Sequence, residues 1–446
     1  MKKIIVYKDK WVNNSDYDYY LNLCKDVSIQ NIKKDWEILG INSFSDLMED
    51  LLTIALTIFI VDKKYKRIDS KDGWSRNFQI LIPIINYDKL SDKTIKFKKI
   101  FDFLTGDVWD IQFYKDHTRL FGSYCSTVQP LKFQKVCLYS GGMDSYIYSL
   151  QMFGSNVDCL YVSYNEYRGL TDIQKSLFDS TKANYIGNSS KMTYFSIASK
   201  IRSMSNQNKF PLNDSDEEKS FRSRSILFIT VALSFANSLG DDIPVIVPEN
   251  GFIGSNLPLT PSRRGSLSTR TTHQRFLKML NDILTSLNIS NKVINPYFLL
   301  SKNEMVDKVK EIKGFDENIS KTISCSHPMN VRFFKKSKPE NCGYCYPCLI
   351  RRSSLGLNDQ TKYTYDFNNI INDDSHNVKK SDLMALIKLI RLFKHNDQSN
   401  VIKQIKIQIY PFYEHADQIY DLYKRTIDDF DNIITNQKIR DLIDEV

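Results

Sequence analysis

Two groups of residues in this 446-residue chain have types and spacing suited to chemistry. The first is Ser140-Gly141-Gly142-Met143-Asp144-Ser145, set between the apolar run VCLY and a stretch with helical character. That order predicts a buried strand, a glycine turn and the start of a helix. The leading N–H groups of a helix lack partners within it and lie at the positive end of its dipole. With nearby hydroxyls they can hold an anion, phosphate above all. Glycines let the backbone approach closely and take φ > 0. Ser140, Gly141, Gly142, Met143 and Ser145 are therefore the expected phosphate cradle. Asp144 is too negative for that task, and its expected role is to hold Mg²⁺. No Gly-Lys-Ser/Thr follows, so the loop is not a Walker loop, and it is not a GxGxxG fingerprint.

The second group is Cys342-Gly343-Tyr344-Cys345-Tyr346-Pro347-Cys348, with Cys325 upstream. Four thiolates at this spacing can close a tetrahedron round Zn²⁺. Zinc leads, with an iron–sulfur cluster as the rival. A zinc ion filled by four ligands clamps a loop and does no catalysis. His327 either replaces one sulfur or sits beside the site. Arg351 and Arg352 fit an anionic ligand or a helix C-terminus. The remaining cysteines, Cys24, Cys125, Cys137 and Cys159, read as small core residues in a reducing compartment.

The elements that must position these groups follow from the hydrophobic pattern. Residues 131–320 alternate strands with helices, the mark of an α/β unit with a parallel sheet flanked by helices. Residues 1–130 read as a separate mixed α/β unit, 321–360 as the knuckle, and 361–446 as a charged, amphipathic helical appendage. In the first unit, a helix is expected over 44–62 with Ser45 or Asp46 as N-cap, and a strand over 78–85. Trp74-Ser75-Arg76 and LTGDVW, residues 104–109, read as turns carrying aromatic core anchors. In the second unit, strands are expected at 135–139, 158–164, 191–197 and 243–247. Helices are expected at 143–153, 171–183 and 221–239, with Gly240 as a C′ cap. Residues 203–220 read as a polar surface loop. Ligands of an open parallel sheet bind beyond the carboxyl ends of its strands. That rule gathers the Ser140–Ser145 loop, Tyr164-Asn165 and Glu249-Asn250 at one edge. Arg263 and Arg270 follow, the latter in STRTTH, which opens a helix running to about residue 287, and both are within reach of a phosphate or carboxylate.

Composition bounds the class. With 42% hydrophobic and 25% charged residues, the chain buries a real core and is not a disordered polymer. A net charge of +9 fits an anionic ligand, a nucleic acid or a generically basic protein, and on this length nucleic acid is not favoured. No signal peptide is visible, and the longest apolar run, residues 51–61, is about half of what a bilayer requires. The expected compartment is the cytoplasm, with no membrane partner.

SGGMDS resembles the SGGxDS pyrophosphate loop of the ATP pyrophosphatases. This loop, followed by Cys325 and then CGxCxPCxxR, resembles the QueC (7-cyano-7-deazaguanine synthase) family. FRSRSILFITVALSFANSLG is similar to the QueC segment in which an Arg-Asn pair precedes a long helix. Ser223-Arg224-Ser225 stands there in place of Gly-Arg-Asn. PENG, SLSTRTTH and LTGDVW resemble the larger, QatC-type QueC relatives of bacterial anti-phage operons. The chain departs from QueC at Tyr164-Asn165, where the family has Tyr-Gly-Gln, and in its longer Cys325–Cys342 gap.

The resemblance covers roughly half the chain and implies an adenine nucleotide alpha hydrolase-like fold. It implies an ATP-dependent C–N ligase that adenylates a 7-deazaguanine carboxylate and amidates it with ammonia or a protein amine. Ser140, Asp144 and Ser145 would be catalytic. Tyr164, Arg224, Glu249, Arg263 and Arg270 would contact nucleotide or substrate. ATP, Mg²⁺ and Zn²⁺ are the implied cofactors, and a protein from the same operon the implied partner. Two alternatives share the loop: a tRNA-modifying, thiolase-like enzyme using an iron–sulfur cluster, and a non-catalytic nucleotide-binding scaffold.

Overall fold

The computed structural model describes residues 1–9, 16–167, 169–199, 217–218, 220, 222–255, 270–329, 338–372 and 377–445. Among these residues the strands in chain order are β1 (Lys2–Tyr7), β2 (Tyr19–Asn22), β3 (Val27–Gln30), β4 (Asn77–Ile84), β5 (Val108–Lys115), β6 (Lys135–Leu138), β7 (Cys159–Tyr164), β8 (Lys191–Ser199), β9 (Val245–Ile246) and β10 (Val293–Ile294). They build two sheets, ordered β2-β1-β4-β5 and β10-β9-β6-β7-β8-β3. The first sheet is parallel throughout. The second is parallel except that β3 runs antiparallel to β8. Parallel strands need crossover connections, and the helices supply them while covering both faces.

The longer helices are α1 (Asp46–Lys64), α2 (Thr94–Thr105), α3 (Met143–Gly154), α4 (Leu170–Lys182), α5 (Arg224–Leu239), α6 (Gln274–Ser286), α7 (Lys302–Asp307), α8 (Tyr346–Leu355), α9 (Asn377–His395), α10 (Gln398–Ile409), α11 (Ala416–Asp431) and α12 (Gln437–Asp444). Ser45 caps α1 by accepting the Met48 N–H, as its position predicts. No helix among the described residues is long and apolar enough to cross a membrane.

The N-terminal unit and the body are tied together twice. Strand β3 leaves the first unit to form the edge of the second sheet, Ile29 opposite Ile197. Helix α1, buried on nearly every side, lies against α5, and one apolar core runs from Ile4 to Val293. Phe44 sits in that seam, 4.8 Å from the Trp36 ring and 5.6 Å from Phe235.

Two expectations are corrected here. Trp109 of LTGDVW is a core anchor but Trp74 of WSR is exposed, and the charged residues of the two segments, Arg76 and Asp107, join Asp62 and Arg67 in a buried ion cluster. Arg76 Nη2 and Arg67 Nη1 both lie 2.6 Å from Asp107, and Asp62 accepts the Ser223 N–H at 2.8 Å. Buried charges need partners at this density, and spacing along the chain gave no sign that these four would meet. Cys24 and Cys125 are exposed, against the expectation of core residues; Cys137 and Cys159 are buried. Gly240 ends α5 as expected, its N–H donating to the Ala236 carbonyl, with φ 167 in place of a left-handed turn. Most of residues 203–220 lies outside the described residues; Glu217 and Glu218 bind Lys63 and the Arg67 N–H.

The appendage has its own core, with Leu386 of α9, Ile405 of α10, Leu422 and Tyr423 of α11 and Ile439 of α12. It is docked on the body through Phe252, whose ring lies 4.4 Å from Tyr423 and 5.6 Å from Tyr346. Gly251 permits this approach, because a Cβ there would stand 2.1 Å from the Phe298 carbonyl oxygen.

Candidate functional site

The loop begins where β6 ends. Gly141 takes φ +77°, a turn that favours glycine, and Gly142 is the N-cap of α3. The loop's hydroxyls converge: Ser140 Oγ and Ser145 Oγ are 3.1 Å apart, and Ser140 Oγ accepts the Gly142 N–H at 3.2 Å. The segment leading to the knuckle closes one side of the turn. Ile323 N–H donates to the Gly141 carbonyl at 3.0 Å, and the Met143 N–H donates to Ser324 Oγ at 2.9 Å. One of the N–H groups expected to cradle phosphate is thus engaged by a serine far along the chain.

A cavity of about 620 Å³ opens at the carboxyl ends of β6, β7, β8 and β9. Ser140 and Ser145 form its floor, beside Glu249. Tyr164, Phe195 and Phe228 form an aromatic wall, with the Tyr164 and Phe228 rings 4.3 Å apart. Burial and the neighbouring Glu166 push the Tyr164 hydroxyl up to about 12. Arg224 and Glu166 stand at the rim as an ion pair of 2.8 Å. The opposite wall is residues 325–329, the N-terminal end of the knuckle. Ser140, Ser145, Tyr164, Arg224 and Glu249, widely separated in sequence, are thereby brought to one space.

Asp144 lies beneath that floor, and its surroundings differ from the expectation. Lys302 Nζ, at the first position of α7, is 2.8 Å from Asp144 Oδ1. Asp144 Oδ2 accepts the Asn250 backbone N–H at 3.0 Å and its side-chain Nδ2–H at 2.7 Å. Burial alone would push this carboxyl up; the Lys302 charge and the hydrogen bonds from Glu249, Lys302 and Asn250 hold it below its ordinary value. Burial and the Asp144 charge push Glu249 well above the usual carboxylate range. Of the two, Asp144 therefore carries the negative charge more readily. Asn250 takes Oδ2, while Oδ1, buried and without a well-aligned hydrogen-bond partner, faces the Lys302 ammonium, whose charge stands against a Mg²⁺ ion at that oxygen.

The four cysteines do fit a metal. Their Sγ atoms all lie within 4.8 Å of one another, with Cys342 and Cys348 3.9 Å apart and Cys345 and Cys325 likewise. Backbone N–H groups of Ser326, His327, Cys342 and Cys345 point at sulfur, at 3.4, 3.2, 3.3 and 3.4 Å. Such donors stabilise thiolates and orient them. The crowded sulfurs drive one another apart in acidity: Cys342 is pulled down and Cys325 pushed up. Cys325, Cys342, Cys345 and Cys348 would hold a tetrahedral zinc ion, whose contribution is to clamp this wall of the cavity. His327 is exposed beside the cluster, its ring 6.1 Å from Tyr344, and is not one of the four donors.

Several expected contacts fall elsewhere. Arg270 turns away from the cavity: it donates to the Phe103 carbonyl at 2.6 Å and lies over the Phe103 ring, since α2 offers the nearer acceptor. Arg263 lies outside the described residues. Arg351 is fully buried and donates to Thr322, Ile319 and Thr361, while Arg352 stacks on Tyr363 at 3.7 Å. Neither faces the cavity. Sequence reasoning missed Lys302, Ser324, Glu166 and Phe228. Ser324 adjoins Cys325 and Phe228 follows Arg224 by one helical turn, so both had a neighbouring signal; Lys302 had none. No protein-family model matches the chain and no curated protein matches it, so the site rests on its own geometry.

Proposed function

We propose that the chain is a QueC-like, ATP-dependent C–N ligase that adenylates a 7-deazaguanine carboxylate and passes the acyl group to an amine. One observation carries the reading: Ser140 and Ser145 of the loop and the segment from Cys325 to Met329 of the knuckle line a single cavity. In the reaction a carboxylate oxygen bonds to the α-phosphorus of ATP, the α–β bridging P–O bond breaks, and pyrophosphate leaves. The amine nitrogen then bonds to the acyl carbon, the C–O bond to AMP breaks, and the amine proton passes to solvent. Ser140 and Ser145 hydroxyls and the α3 N-terminus would hold pyrophosphate. Arg224 would neutralise phosphate or carboxylate once Glu166 releases it. Tyr164 and Phe228 offer a flat face for a purine-like ring. No step is assigned to Mg²⁺ at Asp144, because the Lys302 charge stands against Oδ1 and Asn250 takes Oδ2.

The acceptor is ammonia or an amine of a protein partner, in an anti-phage system of the cytoplasm. The purified, zinc-loaded chain is expected to release pyrophosphate from ATP only when the deazaguanine acid is present. Absence of release, with and without the proteins encoded beside it, overturns the proposal. A nucleotide-binding scaffold is the second reading, favoured by the Ser324 hydroxyl on the Met143 N–H; it predicts ATP binding with no turnover.

A further inference from the structure

The Asp144–Lys302 pair is the most consequential feature outside the expected site. Lys302 is only 3% exposed and Asp144 10% exposed at the side chain, so water screens neither. The position of Lys302 is held from outside. Ser301 and Glu304 form a reciprocal cap at the start of α7: Ser301 Oγ accepts the Glu304 N–H at 3.1 Å, and Glu304 Oε2 accepts the Ser301 N–H at 2.7 Å. The other face of Asp144 is held by Asn250, whose Oδ1 also accepts the Ile253 N–H at 3.0 Å. Glu249 completes the cluster, with its Oε1 3.1 Å from Asn250 Nδ2.

We propose that the Lys302 ammonium is the resident cation of the Ser140–Ser145 loop, standing where a divalent metal ion would otherwise bind Asp144 and Glu249. Lys302 is a positioning residue. It neutralises a carboxylate in the first turn of α3, so that the turn stays receptive to an anion, and it keeps divalent ions off Asp144. A Mg²⁺ or Mn²⁺ ion binds carboxylate oxygen at about 2.1 Å. The ammonium already sits 2.8 Å from Oδ1, and two cations at such separation in a buried site repel strongly. Asp144 and Glu249 both approach the Asn250 side chain, and without the ammonium they offer paired carboxylate oxygens to a hard cation. The anion-holding role rests on the ligase reading, but the metal exclusion does not.

The test is Mn²⁺ binding by electron paramagnetic resonance on the full-length, zinc-loaded protein without nucleotide. The quantity read is the Mn²⁺ binding that Asp144→Asn removes. Wild type is expected to show none. Lys302→Met is expected to gain one Mn²⁺ per chain, and the Lys302→Met/Asp144→Asn double variant to lose it again. Lys302→Arg, which keeps the charge, is expected to behave as wild type. If Lys302→Met does not fold, Lys302→Gln serves the same comparison. Wild-type Mn²⁺ binding that Asp144→Asn abolishes overturns the proposal, as do folded Lys302 variants that gain none. A chain that releases no pyrophosphate from ATP fails the ligase reading alone, because the Mn²⁺ result is obtained without ATP.

Discussion

The knuckle and the loop face each other across one cavity, and they were assembled by different rules. In the knuckle three of four donors lie within seven consecutive residues, and the turn they belong to brings their sulfurs together. Among the described residues, the sulfurs meet one another, backbone N–H groups and the Ser324 carbonyl. In the loop the motif is equally compact, but its charged member is captured by Lys302 and Asn250, from distant parts of the chain. A compact motif determines its own geometry; it does not determine what the fold places against it.

The largest way to sharpen this contrast is to remove the metal. Cys345→Ser, or exhaustive chelation, is expected to lower stability by on the order of 5 kcal/mol, since structural zinc sites contribute at least that much. The loss is read by metal content and thermal unfolding. A colourless protein holding one zinc supports the knuckle as a clamp, whereas a brown protein absorbing in the visible would transfer it to iron–sulfur chemistry.

Breaking the loop's ion pair comes next. Asp144→Asn leaves Lys302 buried without its counter-charge and is expected to cost about 3–5 kcal/mol. Lys302→Met is expected to cost a similar amount, and the double variant less than the sum, as chemical denaturation will measure. If the two single effects add, the pair is not an interacting unit.

The same pair predicts a pH dependence. Asp144 is held below its ordinary value of 3.8. Its contribution to stability is therefore complete above that value and is lost as pH falls through the lowered one. The stability gap between wild type and Asp144→Asn should close in acid and stay open at neutral pH. Glu249 is pushed up, so its contribution has the opposite sign, present in acid and lost as pH rises through its raised value.

Two smaller changes probe the turn itself. Gly141→Ala puts a side chain at φ +77° and a Cβ 3.0 Å from Gln174 Cγ, and is expected to cost about 1–2 kcal/mol. Ser324→Ala removes the hydroxyl that engages the Met143 N–H and is expected to cost about 1 kcal/mol while leaving that N–H open to an anion. Pyrophosphate affinity measured by calorimetry should rise in this variant; a fall would mean that Ser324 is part of the cradle.

Much of the fold was legible because its signals are local. The helix from Asp46, its Ser45 cap, and the strand–turn–helix around Gly141 lie within a residue or two of where periodicity places them. The gathering of Ser140, Ser145, Tyr164 and Glu249 followed from a rule about parallel sheets, and Arg224 from the resemblance. The misses share a cause. Arg270 was near the site in sequence and took the Phe103 carbonyl instead, while Arg76 and Asp107 looked like loop residues and became a buried ion cluster. A long charged side chain can reach partners on several elements, and only packing selects among them.

By itself, then, the sequence determined the local chemistry: a Ser-Gly-Gly turn at the end of a buried strand, four cysteines at metal spacing, and an α/β body with a helical tail. The tertiary structure alone decided that Lys302 stands against Asp144, that Ser324 engages Met143, and that the knuckle walls the cavity above the loop. The physical reason is range. Backbone turns and hydrophobic periodicity act over a few residues, whereas a buried charge must find its partner wherever the packed elements bring one within about 3 Å.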